Sequence, residues 1–143
     1  MHSTWQAILT HINRPLVVAL VAAGSAQLLK FFLYIWYRKR ARFERLFGAG
    51  GMPSSHSAMV GALTTAIGFE AGFLSPLFAI SSVLGIIVLY DAIGVRRTVG
   101  LQSKYLNRVS DTDDFPEFVG HTPIEVLMGA LWGILLGIVF YRL

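Results

Sequence analysis

Leu16-Val17-Val18-Ala19-Leu20-Val21-Ala22-Ala23-Gly24-Ser25-Ala26-Gln27-Leu28-Leu29-Lys30-Phe31-Phe32-Leu33-Tyr34-Ile35-Trp36-Tyr37 is an apolar run with a single charge, Lys30. A helix needs about 20 such residues to cross a hydrocarbon core. A soluble helix would interrupt the run with polar positions on every turn. Pro15 precedes it, a residue well suited to a helix start. The run predicts a transmembrane helix over about 16–37. Gly24-Ser25-Ala26 resembles a signal-peptidase site, but apolar sequence resumes at once through Phe31, Phe32, Leu33 and Trp36, which argues for a retained span.

Three further spans are predicted, over about 57–73, 77–93 and 124–141. The first of these is only weakly apolar and rich in Ala, Gly and Thr, as befits a tightly packed helix face rather than a lipid-facing one. Upstream, Trp5, Ile8, Leu9 and Ile12 fall at helical spacing and suit a short interfacial helix over Met1–Asn13. The expected fold is all-α: a polytopic transmembrane helix bundle of about four spans plus that N-terminal helix, in a single membrane-embedded domain over 1–143. Composition agrees. A hydrophobic fraction of 55% with 14% charged residues and a mean hydropathy of +0.61 lie outside the soluble range.

The net charge of +4 invites a nucleic-acid reading until the charges are located. Nine of the twelve Lys and Arg residues lie in two segments, Arg38–Met52 and Gly94–Gly120, beside apolar spans. The positive-inside rule and attraction to anionic lipid account for them, so nucleic acid is not an expected partner. With four spans both segments share one face, predicted cytoplasmic, and both termini lie outside. The chain has no cysteine, which excludes disulfides and thiolate metal sites.

The chemically interesting residues gather at that same face. Gly50-Gly51-Met52-Pro53-Ser54-Ser55-His56-Ser57 opens the second span: Ser54 or Ser55 can cap a helix whose first amides favour an anion, and His56 can exchange a proton near neutral pH. A plain serine cap with an interfacial histidine reads the same residues without function. Gly120-His121-Thr122-Pro123-Ile124-Glu125 opens the last span. Thr122 and Glu125 form a capping box with Pro123 at the first helical position. His121 adds nothing to that cap, and an imidazole held by a carboxylate four residues on is fixed in one tautomer and made a better nucleophile.

Tyr90-Asp91-Ala92-Ile93-Gly94-Val95-Arg96-Arg97 closes the third span. Asp91 at a membrane edge requires a partner, and Arg96 or Arg97 can supply it. Alternatively, one arginine clamps a phosphate with Asp91 fixing its geometry. Lys30, about two turns from the end of its span, is expected to face the bundle interior rather than snorkel. Two histidines, a lysine, two arginines, two helix N-termini and carboxylates at one face suit an anion with oxygens on several sides, phosphate above all.

At these residues the sequence resembles the divergent bacterial and plastid branch of the type-2 phosphatidic acid phosphatase and vanadium haloperoxidase superfamily. Pro53-Ser54-Ser55-His56 is similar to that superfamily's Pro-Ser-Gly-His motif, with Ser55 for glycine; His121-x-x-x-Glu125 is similar to its His-x-x-x-Asp, with glutamate for aspartate. Gly50 to Ala58, Tyr90 to Gly100 with Leu106-Asn107, and Gly120 to Gly129 carry the likeness to the divergent branch. The first motif is only approximated by Lys30 and Arg38. Phe115 stands where an Arg-containing pair is expected, so Arg96 or Arg97 would have to substitute.

The resemblance implies an integral-membrane phosphatase of a bacterial inner or plastid-like membrane, acting on a lipid or isoprenoid phosphate or pyrophosphate without metal or other cofactor. His121 would attack phosphorus, Glu125 would orient it, and His56 would protonate the leaving alkoxide and later deprotonate water. Lys30, Ser54, Ser55, Arg96 and Arg97 would hold the phosphoryl oxygens, with Asp91 in support. Two alternatives stand beside it: a non-catalytic phospholipid-binding protein that keeps the anion pocket, and a metal-dependent hydrolase with His56, His121, Asp91 and Glu125 as ligands. Membrane lipids are expected partners, and a homodimer through the Gly- and Ala-rich faces is expected as well.

Overall fold

The computed structural model describes residues 12–38, 51–117 and 119–142. The proposed Met1–Asn13 helix and most of the Arg38–Met52 segment lie outside the described residues. Five helices follow in order: α1 (Arg14–Arg38), α2 (Ser55–Ala71), α3 (Pro76–Ile93), α4 (Val95–Ser110) and α5 (Pro123–Arg142). Among the described residues there is no strand. Four of the five helices coincide with the spans read from hydropathy. Three segments are long and apolar enough to cross a membrane: Arg14–Trp36, Pro76–Ser110 with its apolar window in α3, and Pro123–Arg142.

The second expected span, α2, is the central strut. Its 17 residues reach roughly 25 Å at 1.5 Å each, just short of the ~30 Å hydrocarbon core. The chain's other apolar helices, α1, α3 and α5, all pack on it. Small residues make that possible. On one side Val18, Ala22 and Ala26 of α1 meet Ala58, Ala62 and Ala66 of α2 in a buried cluster, with Trp132, Leu136 and Tyr141 of α5 packed against it. On another side Gly129, Gly133 and Gly137 recur every four residues along α5 and let the backbones touch. A Cβ on Gly133 would stand 2.0 Å from the Ala58 carbonyl oxygen, and one on Gly129 would stand 2.3 Å from that of Ser54.

Polar groups pin the remaining contacts. Trp132 Nε1 donates to Ser25 Oγ at 3.0 Å, tying α5 to α1, and Thr64 Oγ1 donates to the Ser81 carbonyl at 3.2 Å, tying α2 to α3. At the end of the bundle that carries the Gly72–Ser75 turn, Tyr141 donates to Glu70. Large apolar side chains such as Leu20, Ile80, Ile86 and Leu135 point outward, as they must in lipid.

One expectation changes. The Gly94–Gly120 segment, read as a polar loop, holds the 16-residue α4. Val95, Val99, Leu106 and Val109 lie on one face and Arg97, Lys104 and Arg108 on another, so local periodicity outweighs high polarity. The α5 glycines pack against α2 inside the chain.

Gly133→Ala should push α2 and α5 apart and cost about 1–3 kcal/mol as overpacking. Gly24→Ala has open space around it and should be neutral or slightly stabilising by up to ~1 kcal/mol from helix propensity. Reversible unfolding in mixed detergent measures both; equal midpoints for the two variants would contradict the α2–α5 contact.

Candidate active site

The site is assembled where the N-termini of α2 and α5 meet the C-terminus of α3. Ser54 is fully buried and caps α2: its Oγ accepts from the Ser57 amide at 3.3 Å and from Ser57 Oγ at 2.8 Å. Its own amide donates to the Glu125 carbonyl at 3.1 Å. That bond and Gly129 beneath it lock the His56 turn to the His121 turn. The third helix joins through the His121 amide, which donates to the Ala92 carbonyl at 3.0 Å.

The expected capping box is present. The Thr122 amide donates to Glu125 Oε2 at 2.9 Å, and the Glu125 amide donates to Thr122 Oγ1 at 3.4 Å. The same Oε2 stands 3.5 Å from His121 Nδ1. Glu125 therefore serves the helix and the histidine together. The His121 ring is only 5% exposed, and its Nδ1 is buried without a hydrogen-bond partner. The 3.5 Å gap is one that a small shift closes, and such bonds often tighten only when substrate binds.

A cavity of about 290 Å³ opens beside this pair, lined among others by Gly51, Arg97, Lys104, Gly120, His121 and Glu125. Gly120 lines it at φ +84°, where a Cβ would stand 2.3 Å from the Arg97 nitrogen, so only glycine lets the chain lie against α4 at this point. Lys30 is 8% exposed, facing inward as expected. A Cβ on Gly51 would stand 3.4 Å from its Cδ, which places the lysine stem against the glycine loop at the cavity wall.

The two arginines separate. Arg97 lines the cavity. Arg96 Nε donates to Asp91 Oδ2 at 2.5 Å, and its charge is felt by His56. Ser55 is the first residue of α2 and is partly exposed. His56 is exposed and does not line the cavity that holds His121, yet the rings lie within each other's electrostatic reach.

Both histidines lie outside the three spanning segments and both titrate below the ordinary value of 6.5. For His56 the causes are loss of hydration, then the charges of Arg96 and Lys30. For His121 burial leads; the Glu125 carboxylate raises the pKa by charge and proximity, while Lys30 and His56 lower it. The free protein thus holds neutral imidazoles among fixed cations, an arrangement that binds an anion and keeps a nitrogen lone pair for attack.

Lys104 and Asn107 went unnoticed as site residues. With Arg97 and Gly100 they recur at helical spacing on one face of α4, a signal available once that segment is read as a helix. Asn107 is buried; its Nδ2 donates to the Phe115 carbonyl at 2.9 Å and to Glu117 Oε1 at 3.1 Å, and its Oδ1 accepts from the Phe115 amide at 3.0 Å. It folds the acidic loop back so that Glu117 reaches the cavity. Among the described residues no group of three or more His, Asp or Glu side chains is placed to hold a metal ion, and Asp91 is engaged by Arg96. The geometry therefore does not favour the metal-ligand set.

The model of the Divergent PAP2 family matches residues 11–136. The chain belongs to that family. It is also 38% identical over 147 residues, covering 89% of this chain and 93% of the relative, to a protein of Bacillus subtilis (strain 168) named "Uncharacterized membrane protein YuiD". No solved structure matches the chain. Family membership and the apolar helices make this an integral membrane protein of a phosphatase-related superfamily.

Glu125→Gln should lower the His121 pKa further, and Lys30→Met should raise it, because each removes a charge acting in the opposite sense. Ring-proton NMR titration in detergent reads both. Folding lowers the His121 pKa, so its contribution to stability is present above 6.5 and is lost as pH falls through the folded-state value. Thermal midpoints should drop on acidification below pH 6.5 in the wild type, and less so in His121→Gln.

Proposed function

We propose that this Divergent PAP2 family member hydrolyses the phosphate of a membrane lipid or isoprenoid phosphate through a phosphohistidine on His121. The observation that carries the reading is the convergence of charge: His121 sits beside Glu125 and in the field of Lys30 and His56, with Arg97 and Lys104 lining the same cavity. Neutral His121 attacks phosphorus, and Glu125 stabilises the developing imidazolium. Lys30, Arg97 and Arg96 offset charge on the phosphoryl oxygens. Ser54 fixes the α2 terminus, with Ser55 at the opening, and Asp91 orients Arg96. Phosphate binding beside His56 raises its pKa and loads the proton that the leaving alkoxide requires. The site-bearing face is the cytoplasmic one in this reading, on the positive-inside rule.

Purified protein should release phosphate from phosphatidic acid, phosphatidylglycerol phosphate or an isoprenoid pyrophosphate in mixed micelles. His121→Ala should abolish turnover, and His56→Ala should reduce it by roughly 10²–10⁴-fold, the usual worth of a positioned acid–base group. Radiolabelled phosphate should be trapped on His121 as an acid-labile, base-stable adduct. Full activity in both histidine variants would end the assignment.

The required pair is His121 neutral with His56 protonated, and both free-protein pKa values lie below 6.5. The ratio kcat/KM should therefore peak below that pH and fall as pH rises through neutrality. A flat profile from pH 5 to pH 8, roughly the range of histidine titration, would contradict those roles.

A second reading, head-group binding without turnover, is favoured by the near-complete burial of the His121 ring. Saturable binding of phosphatidic acid with no phosphate release would select it.

A further inference from the structure

Helix α4 has a face that the protein does not cover. Val95, Val99, Leu106 and Val109 fall at i, i+4, i+11 and i+14, a single stripe at 3.6 residues per turn. They are 63%, 42%, 43% and 65% exposed. The buried residues of this helix, Gly100, Ser103 and Asn107, lie away from that stripe. Among the described helices α4 touches only α3; Glu117, Val119 and Gly120 also lie against it, and the Val119 carbonyl oxygen would stand 2.4 Å from a Cβ on Gly100.

Two observations say what covers the stripe. Gly94 is the one residue between α4 and the membrane-crossing α3, and its ψ of −95° departs from helical geometry. The helix therefore starts at the edge of the hydrocarbon core and turns off the α3 path. Its charge also has one sign: Arg96, Arg97, Lys104 and Arg108 are present with no carboxylate between Val95 and Ser110. An apolar stripe backed by a basic polar face, at the end of a transmembrane helix, matches a bilayer surface carrying anionic head groups.

We propose that α4 is an in-plane interfacial helix seated on anionic lipid. Val95, Val99, Leu106 and Val109 enter the boundary between head groups and acyl chains. Arg96 flanks the stripe and reaches lipid phosphates, while Arg97, Lys104 and Arg108 lie on the far side, where Arg97 and Lys104 form a wall of the cavity beside His121. The cavity is thereby held at head-group depth. Interfacial seating of α4 requires no turnover at His121, so its test stands apart from the enzymatic one.

The chain has no native cysteine, so single cysteines can be placed directly at Val95, Val99, Leu106 and Val109, and at Lys104 and Arg108 as polar-face positions. Each nitroxide-labelled full-length variant is reconstituted into vesicles of phosphatidylcholine with phosphatidylglycerol. These six positions are exposed, and retained far-UV helicity verifies the fold. The expected result is a helical oscillation: oxygen accessibility relative to a soluble nickel chelate is several-fold higher at the four stripe positions than at 104 and 108. In phosphatidylcholine alone, the stripe labels should move toward water. Equal nickel accessibility on both faces would overturn the seating. Spin–spin broadening at Leu106→Cys that disappears on dilution with unlabelled protein would overturn it in favour of a second copy. An unchanged depth in the two vesicle types would remove anionic lipid as the partner.

Discussion

The close approach of α5 to α2 is the contact on which the rest depends. In lipid the hydrophobic effect does not drive helices together, because the tails are as apolar as the side chains, so association rests on van der Waals contact and hydrogen bonds. Gly129, Gly133 and Gly137 remove the side chains that would keep the backbones apart. The small residues of α2 then serve two partners, with Ala58 and Ala62 meeting both α1 and α5. A helix of such low hydrophobicity is tolerated because its neighbours enclose it.

That contact also sets the chemistry. Gly129 lies under Ser54, and Ser54 bonds the Glu125 carbonyl, so the turn bearing His56 and the turn bearing His121 are fixed by the same packing that joins the helices. The capping residues do similar double service. Glu125 completes the start of α5 with the oxygen that faces His121 Nδ1. A glutamate that caps its own helix loses little freedom on orienting the imidazole, because the cap has already ordered it.

The electrostatic character follows from where the cations are anchored rather than from their number. Lys30 is held inside by burial against the Gly51 loop, Arg96 is braced by Asp91, and Arg97 and Lys104 project from α4. Lys30 comes from α1 and the other three from α4, and together they lower histidine pKa values or line the cavity beside them. Carboxylates at the site are few and engaged: Asp91 by Arg96, Glu125 by the helix cap, Glu117 by Asn107. Such a balance leaves room for the charge of a phosphate.

The sequence by itself determined the apolar helices, their approximate ends, the caps at Ser54 and Thr122, and the inward Lys30, because each is written in local composition or in residues three or four apart. It also marked which residues gather at one face, since alternating spans force that sharing. It did not reveal α4, whose charges masked an apolar stripe, nor that the α5 glycines pack on α2. Only the tertiary structure decided that Arg97 lines the cavity while Arg96 pairs with Asp91, and that His121 lines it while His56 does not. Neighbouring residues on a helix point about 100° apart, so which of them faces a site is fixed by how the helix is rotated and packed.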